Sequence, residues 1–373
     1  MKRFPQIAAC LVLATCCFAS SADNTKPPLP SGVRLKEAAG TLLIGARPDG
    51  GYPRPQSSRA NTLVLEREFS ALQPTWWGNW GGWSGPGQYD FAGMNAWINW
   101  GHERGKKIVV HMLVGGNQYM PEWLVKGSFR PAELDQMMGA MIKAAITGNE
   151  NDRKVHTWNV VNEAFAHEGE RGSEYKQDAD NLWHQLGWEE DRSGLTGDDK
   201  VVDRHPAYIA KAFHYARQHT RAKLELRENE MEFEPREKRL KLFYQLVKHL
   251  LESGVPLDAV GLQCHMYAWD DNRAYSMEGF KEVVARFRKL GLEVMVTEID
   301  MVQSFNDPEL QRRRYEEFVH ACVEAGVSQL HFWGVRDGSD KGWFGDRKPL
   351  LFDESFAPKP AYYGVQAALL SRR

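Results

Sequence analysis

Short apolar runs and longer half-apolar stretches alternate along the chain. LLIGA (42–46), ALQPTW (71–76), KIVVHMLV (107–114), HTWNVVN (156–162), KLELRE (223–228), DAVGLQCHMY (258–267), EVMVTEID (293–300) and QLHFWGV (329–335) are rich in β-branched, aromatic and other large apolar side chains. Most are apolar at successive positions, so both faces are covered, as in a parallel sheet. Between them apolar residues recur at helical spacing, most clearly over 132–146, 208–219, 237–254, 276–291 and 310–326. Gly254, Gly291 and Gly326 stand where a left-handed residue would stop three of these helices. Eight strands alternating with helices predict a (β/α)8 TIM barrel. A doubly wound open sheet is the alternative. It would carry a phosphate loop after its first strand, and GARPDGGYP (45–53) lacks G-x-G-x-x-G spacing and opens no helix.

In TWNVVNEAF (157–165) a core strand runs straight into Asn162 and Glu163 with no turn residue between. A charged group there costs several kcal/mol unless something compensates it. VTEID places Glu298 at the end of the seventh strand in the same way. In a closed barrel both strand ends face one central cavity, where catalytic groups gather. Two rim carboxyls suit glycoside hydrolysis: one protonated, to donate to the leaving oxygen, and one ionised, to attack or stabilise the anomeric carbon. Asn162 is placed to meet a sugar hydroxyl, and His265, in GLQCHMY, to hold Glu298. An ion-paired rim without catalysis is the other reading of the same pair.

Composition narrows the picture. The 373 residues include 47 basic and 49 acidic side chains, a net charge of −2, so nothing points to nucleic acid as a partner. Thirteen tryptophans are many for this length, and flat apolar platforms are one use for them. MKRF followed by a short apolar run and SSADN reads as a signal peptide over 1–22, and 23–33 as a Pro-rich flexible lead-in. The catalytic barrel then spans 34–373, and the chain is expected to be exported. Cys16 gives a loose lipobox reading as the alternative. No other apolar run reaches the ~20 residues of a membrane span. Cys264 and Cys322 remain in the mature chain, as a pair or as two buried thiols. HEGERG (167–172) lacks H-E-x-x-H spacing, so no metal site is expected.

WNVVNEA, GLQCH, VTEID and the C-terminal WGVRD…GWF…PLLFDESFAPKPAYYGV resemble the signature segments of glycoside hydrolase family ten, the endo-β-1,4-xylanases. LKEAAGTLLIGA and YIAKAFHYARQHTRAKLEL fit as well, so the resemblance covers nearly the whole mature chain, with an insertion near 189–204. It implies a retaining double displacement with Glu163 as acid/base and Glu298 as nucleophile, at a carboxyl separation of about 5–5.5 Å. It also implies sugar contacts from Asn162, His111, Gln263 and His265, aromatic walls from Trp333 and Trp343, and a supporting Asp300. A polysaccharide or oligosaccharide is the implied partner, no cofactor is implied, and the protein is expected to be a monomer.

The departures cluster. Where the family resembles TPENEMKW, this chain reads QPTWWGNW (73–80), and where it resembles GHTLVWHSQ, Gly115 and Gly116 replace Trp and His. LRENE replaces INDYN. Trp76 and Trp80, with Trp77 and Trp83, are expected to exchange hydrogen-bond selection for stacking on the sugar; packing in the core is the other use for them. The expected substrate is xylan or a related plant β-glycan. The alternatives are a non-xylan or decorated oligosaccharide, or a carbohydrate-binding protein without turnover.

Overall fold

The computed structural model describes residues 30–49, 53–78, 82–166, 174–233, 237–268, 275–304, 306–340 and 345–371. The leader, Trp80, Trp343 and the HEGERG segment lie outside these residues.

Eight parallel strands form the barrel: β1 (Leu43–Ala46), β2 (Ala71–Leu72), β3 (Lys107–Val110), β4 (Thr157–Asn162), β5 (Lys223–Glu228), β6 (Ala259–Leu262), β7 (Glu293–Val302) and β8 (Gln329–Phe332). Each pairs with the next in sequence, β6 joins β7, and β8 returns to β1 through Leu43↔Gln329 to Ala46↔Phe332. The sheet is therefore closed, as the rhythm of the sequence predicts. A helix follows each strand: α1 (Arg59–Glu68), α2 (Ala92–His102), α3 (Pro131–Thr147), α4 (Ala207–Arg217), α5 (Glu237–Glu252), α6 (Met277–Arg288), α7 (Pro308–Ala325) and α8 (Pro360–Leu370).

The helices lay apolar stripes on the sheet. Phe280, Val283, Val284 and Phe287 of α6 are buried, as are Tyr315, Phe318, Val319 and Cys322 of α7, and the Phe280 and Phe318 rings meet at 5.3 Å. Gly254, Gly291 and Gly326 all have positive φ at the ends of their helices. Cys264 and Cys322 are buried free thiols.

Several strands are shorter than their apolar runs. β2 stops before Pro74, which has no N–H to continue the ladder. β3 stops at Val110, and Thr75 and His111 then meet only as an isolated bridge. β6 breaks at Cys264, whose φ of 61° cannot continue a strand; the chain resumes at His265–Tyr267, paired with Asp300–Val302. The loop expected at 191–203 joins a two-stranded hairpin, Trp188–Glu190 with Arg204–Pro206.

Several fully buried histidines set an acid limit. Burial lowers the pKa of His111 and His205 to about 4 and that of His331 to about 3. The unfolded chain takes up a proton near 6.5 and the folded rings do so only lower, so their contribution is complete above pH 6.5 and is lost as pH falls toward 4. Each group is worth on the order of 1–3 kcal/mol across that window. Asp49, whose carboxyl burial raises to about 6, works in the opposite direction, as do the raised carboxyls of Glu228 and Asp337, while His156, lowered to about 4, adds to the three rings. The melting temperature should therefore fall steadily between pH 6.5 and 4. A flat profile in a calorimetric pH series would contradict the neutral, buried imidazoles.

Candidate active site

β4 is buried along its whole length, and the residue that follows it is bent sharply. Glu163 has φ 54°, the left-handed region that a glutamate rarely enters. The bend is held by its own N–H, which donates to the Arg227 carbonyl at 3.1 Å. Such strain persists only where the surroundings enforce it, and it gathers at functional sites. The carboxylate, 6% exposed, accepts from Gln263 Nε2 at 2.9 Å on one oxygen, and from Tyr119 Oη at 2.8 Å and Gln118 Nε2 at 3.4 Å on the other.

Glu298 sits in β7 where the pairing with β8 slips between Val296 and Ile299. A bulge of this kind re-aims a side chain. Its N–H donates to the Gln263 carbonyl at 3.0 Å. Gln263 thus holds the Glu163 carboxylate with its side chain and the Glu298 backbone with its own. One Glu298 oxygen accepts from Arg227 Nη1 at 3.0 Å and lies 3.7 Å from His111 Nδ1; the other is 3.4 Å from His265 Nε2.

These partners give Glu298 its state. Burial pushes its pKa up, but the charge of a protonated His111, the His265 hydrogen bond and the Arg227 guanidinium outweigh it and hold the carboxyl below its ordinary value. At neutral pH His111 is itself neutral, so Arg227 and His265 carry that effect. Burial alone would lower the His265 pKa. Asp300, 2.7 Å from Nδ1, and then Glu298 reverse this and keep the ring cationic.

Arg227 connects most of the site. Its guanidinium is fully buried and donates to both oxygens of Glu225 at 2.8 and 3.1 Å, to Glu298, to His111 Nδ1 at 3.0 Å and to Gln73 Oε1 at 3.5 Å. Glu225 and Arg227 are two apart on β5, so both point to one face. Gly261 makes room for them, since a Cβ there would lie 1.9 Å from the Glu225 carboxylate.

The expected site residues separate into groups. Asn162, His111, Gln263, His265, Asp300 and Trp333 all stand around the two carboxylates. Asn162 Oδ1 accepts from Gln263 at 3.4 Å, while its buried Nδ2 has no hydrogen-bond partner among the described residues. Trp333 stands 5.1 Å from the His111 ring and 6.2 Å from the His265 ring, with the Arg47 guanidinium 4.4 Å above it. Trp76 is placed elsewhere: it is 7% exposed in the main core, its Nε1 donates to the Asp90 carbonyl, and it packs on Phe91. Trp83 is core as well. Their neighbour Trp77 is the one at the site, packed with Trp333 and 6.3 Å from Tyr119.

Sequence reasoning assigned no role to Gln118, Tyr119, Lys176 or Arg227. The E-x-R pair inside the otherwise apolar KLELRE was the available signal, because two opposite charges on one strand face ask for each other. Among the described residues one cluster has metal-like spacing, Asp191, His205 and His249. Its nitrogens are already matched: His205 bonds Tyr175 Oη and Asp191, and His249 Nδ1 accepts from the Arg192 N–H. It pins the inserted hairpin to α5.

Comparison with known proteins agrees with this geometry. The model of glycosyl hydrolase family 10 matches residues 50–368. The thermostable celloxylanase of Thermoclostridium stercorarium is 29% identical over 86% of this chain and 84% of its own. Endo-1,4-beta-xylanase B of Thermotoga neapolitana is 27% identical over 98% of this chain and 97% of its own. Native xylanase 10B from Thermotoga maritima superposes with a TM-score of 0.74 at 26% identity, over 91% of this chain and all of the other.

Proposed function

This chain belongs to glycosyl hydrolase family 10, and on that footing we propose that Glu163 and Glu298 carry out the retaining cleavage of a β-1,4-linked xylan. The observation that carries the assignment is the contrast between the two carboxyls. Glu298 is ionised by Arg227 and the cationic His265. Glu163 is hydrogen-bonded by two carboxamides and a phenol. In the first step a Glu298 oxygen attacks the anomeric carbon while Glu163 gives its proton to the glycosidic oxygen, and the sugar beyond the bond leaves as an alcohol. In the second, the Glu163 carboxylate takes a proton from water, the resulting oxygen attacks the same carbon, and Glu298 departs as a carboxylate. The unpartnered Asn162 Nδ2 suits a hydroxyl of the sugar under attack, and Trp333 and Trp77 suit the faces of its ring. The leader pattern at 1–22 supports export.

The test is product analysis on xylan, decorated xylans, mixed-linkage glucan and aryl β-glycosides, with the anomer followed by NMR. Short xylo-oligosaccharides released first as the β anomer support the reading; the α anomer would sink it. A second reading rests on Gly115 and Gly116, which leave the rim after β3 without the side chains the family resemblance expects. Intact xylan beside a cleaved decorated oligosaccharide would favour that reading.

A further inference from the structure

Lys176 holds a charge that the two displacement steps do not use. It is fixed by its backbone N–H to the Ala164 carbonyl at 3.2 Å, one residue beyond Glu163, and by the neighbouring Phe165↔Tyr175 bridge. Its side chain is only 5% exposed, yet among the described residues Nζ has no hydrogen-bond acceptor. Among the described residues the nearest anionic atom is Glu163 Oε2, at 4.0 Å. That oxygen already accepts from Tyr119 at 2.8 Å, so Glu163 does not depend on the lysine. Burial lowers the Lys176 pKa, partly offset by Glu163 and Glu228.

Gly116 stands directly beside the ammonium, where a side chain would also meet the Asp180 carbonyl oxygen at 3.2 Å. A Cβ on Gly116 would lie 3.1 Å from Lys176 Nζ and 2.6 Å from Gln118 Oε1. The φ of Gly116 is −71°, which any residue adopts, so the glycine is required by space and not by the backbone. A buried ammonium has three N–H groups to satisfy, and one left unmatched beside the acid/base is a donor awaiting an acceptor.

We propose that Lys176 is a substrate-binding residue, whose ammonium donates to an acceptor oxygen of the sugar unit seated against Glu163. The acceptor is a hydroxyl or, in a decorated glycan, a carboxylate. The assignment rests on Glu163 as the acid/base. It makes the pair Gly116 and Lys176 one specificity element: the first leaves the room, the second fills it.

The test compares Lys176→Met and Gly116→Ala with the wild type on neutral xylo-oligosaccharides and on oligosaccharides bearing a uronic acid. A lost charged hydrogen bond is expected to lower kcat/KM about 10- to 100-fold, mainly through KM. Gly116→Ala is expected to act the same way without removing charge. Equal losses on both substrates identify a hydroxyl; a loss confined to the uronate-bearing series identifies a carboxylate. Values within twofold of wild type on every substrate overturn the proposal. So does a displaced pH profile with unchanged KM, which would make Lys176 a counter-ion of Glu163. Should Lys176→Met fail to fold, Gly116→Ala decides alone. If wild type hydrolyses nothing, calorimetric titration of the same oligosaccharides into wild type and Lys176→Met still reads the binding role, so the two failures are distinguishable.

Discussion

Glu298→Ala abolishes turnover on every substrate, with a loss on the order of 10⁵ in kcat, because no other group can form the glycosyl-enzyme bond. The loss is the same for good and poor leaving groups, since the missing event precedes departure. Glu163→Ala behaves differently. An aryl glycoside with an acidic phenol needs no proton, so its first step survives and a burst of phenol appears, while natural glycans stay intact. The contrast between the two variants is the informative measurement. Identical leaving-group dependence would mean that the two roles are assigned wrongly. Both variants should keep their fold, although Glu298→Ala leaves Arg227 and His265 with one acceptor fewer.

Arg227→Met is the second large effect, and it falls on stability as well as rate. Glu225 is fully buried and both its oxygens are held by Arg227. Removing the cation strands a charge in the barrel, which costs about 3–5 kcal/mol. The melting temperature should drop on the order of 10 °C. Glu225→Met in addition should restore part of that loss, because the stranded charge goes with it. Activity will not return with stability. Arg227 lowers the Glu298 pKa, so its absence raises that pKa and moves the acid limb of kcat/KM to higher pH. An acid limb that stays in place while stability falls would show that His265 alone sets the state of Glu298.

Much of this was legible in the chain. The strand ends were marked because an apolar run that stops in N-E or T-E has nowhere to put the charge except a functional rim. Trp76 was not legible. QPTWW offers two adjacent tryptophans, and only the path of the chain after Pro74 decides which enters the core and which faces the sugar. The helices α1 and α2 were also faint: AGMNAWINWGH carries two glycines and two asparagines, poor helix formers that tertiary packing overrides. Lys176 was invisible for another reason. It lies in a polar connection after β4, and nothing local says that its ammonium will be buried beside a carboxylate contributed thirteen residues earlier.

The joint between β1 and β8 has a kinetic meaning. Leu43 and Gln329 are partners nearly three hundred positions apart, and until they meet the cylinder has two raw edges. Loop closure over such a span comes late, because its entropy is lost before any contact rewards it. The nascent protein therefore passes through an open, seven-eighths sheet whose unpaired margins can template association with a second copy. Refolding yield should fall with concentration even where the finished barrel is soluble, and anything that loosens the Arg47–Trp333 contact beside this seam will prolong that exposed interval.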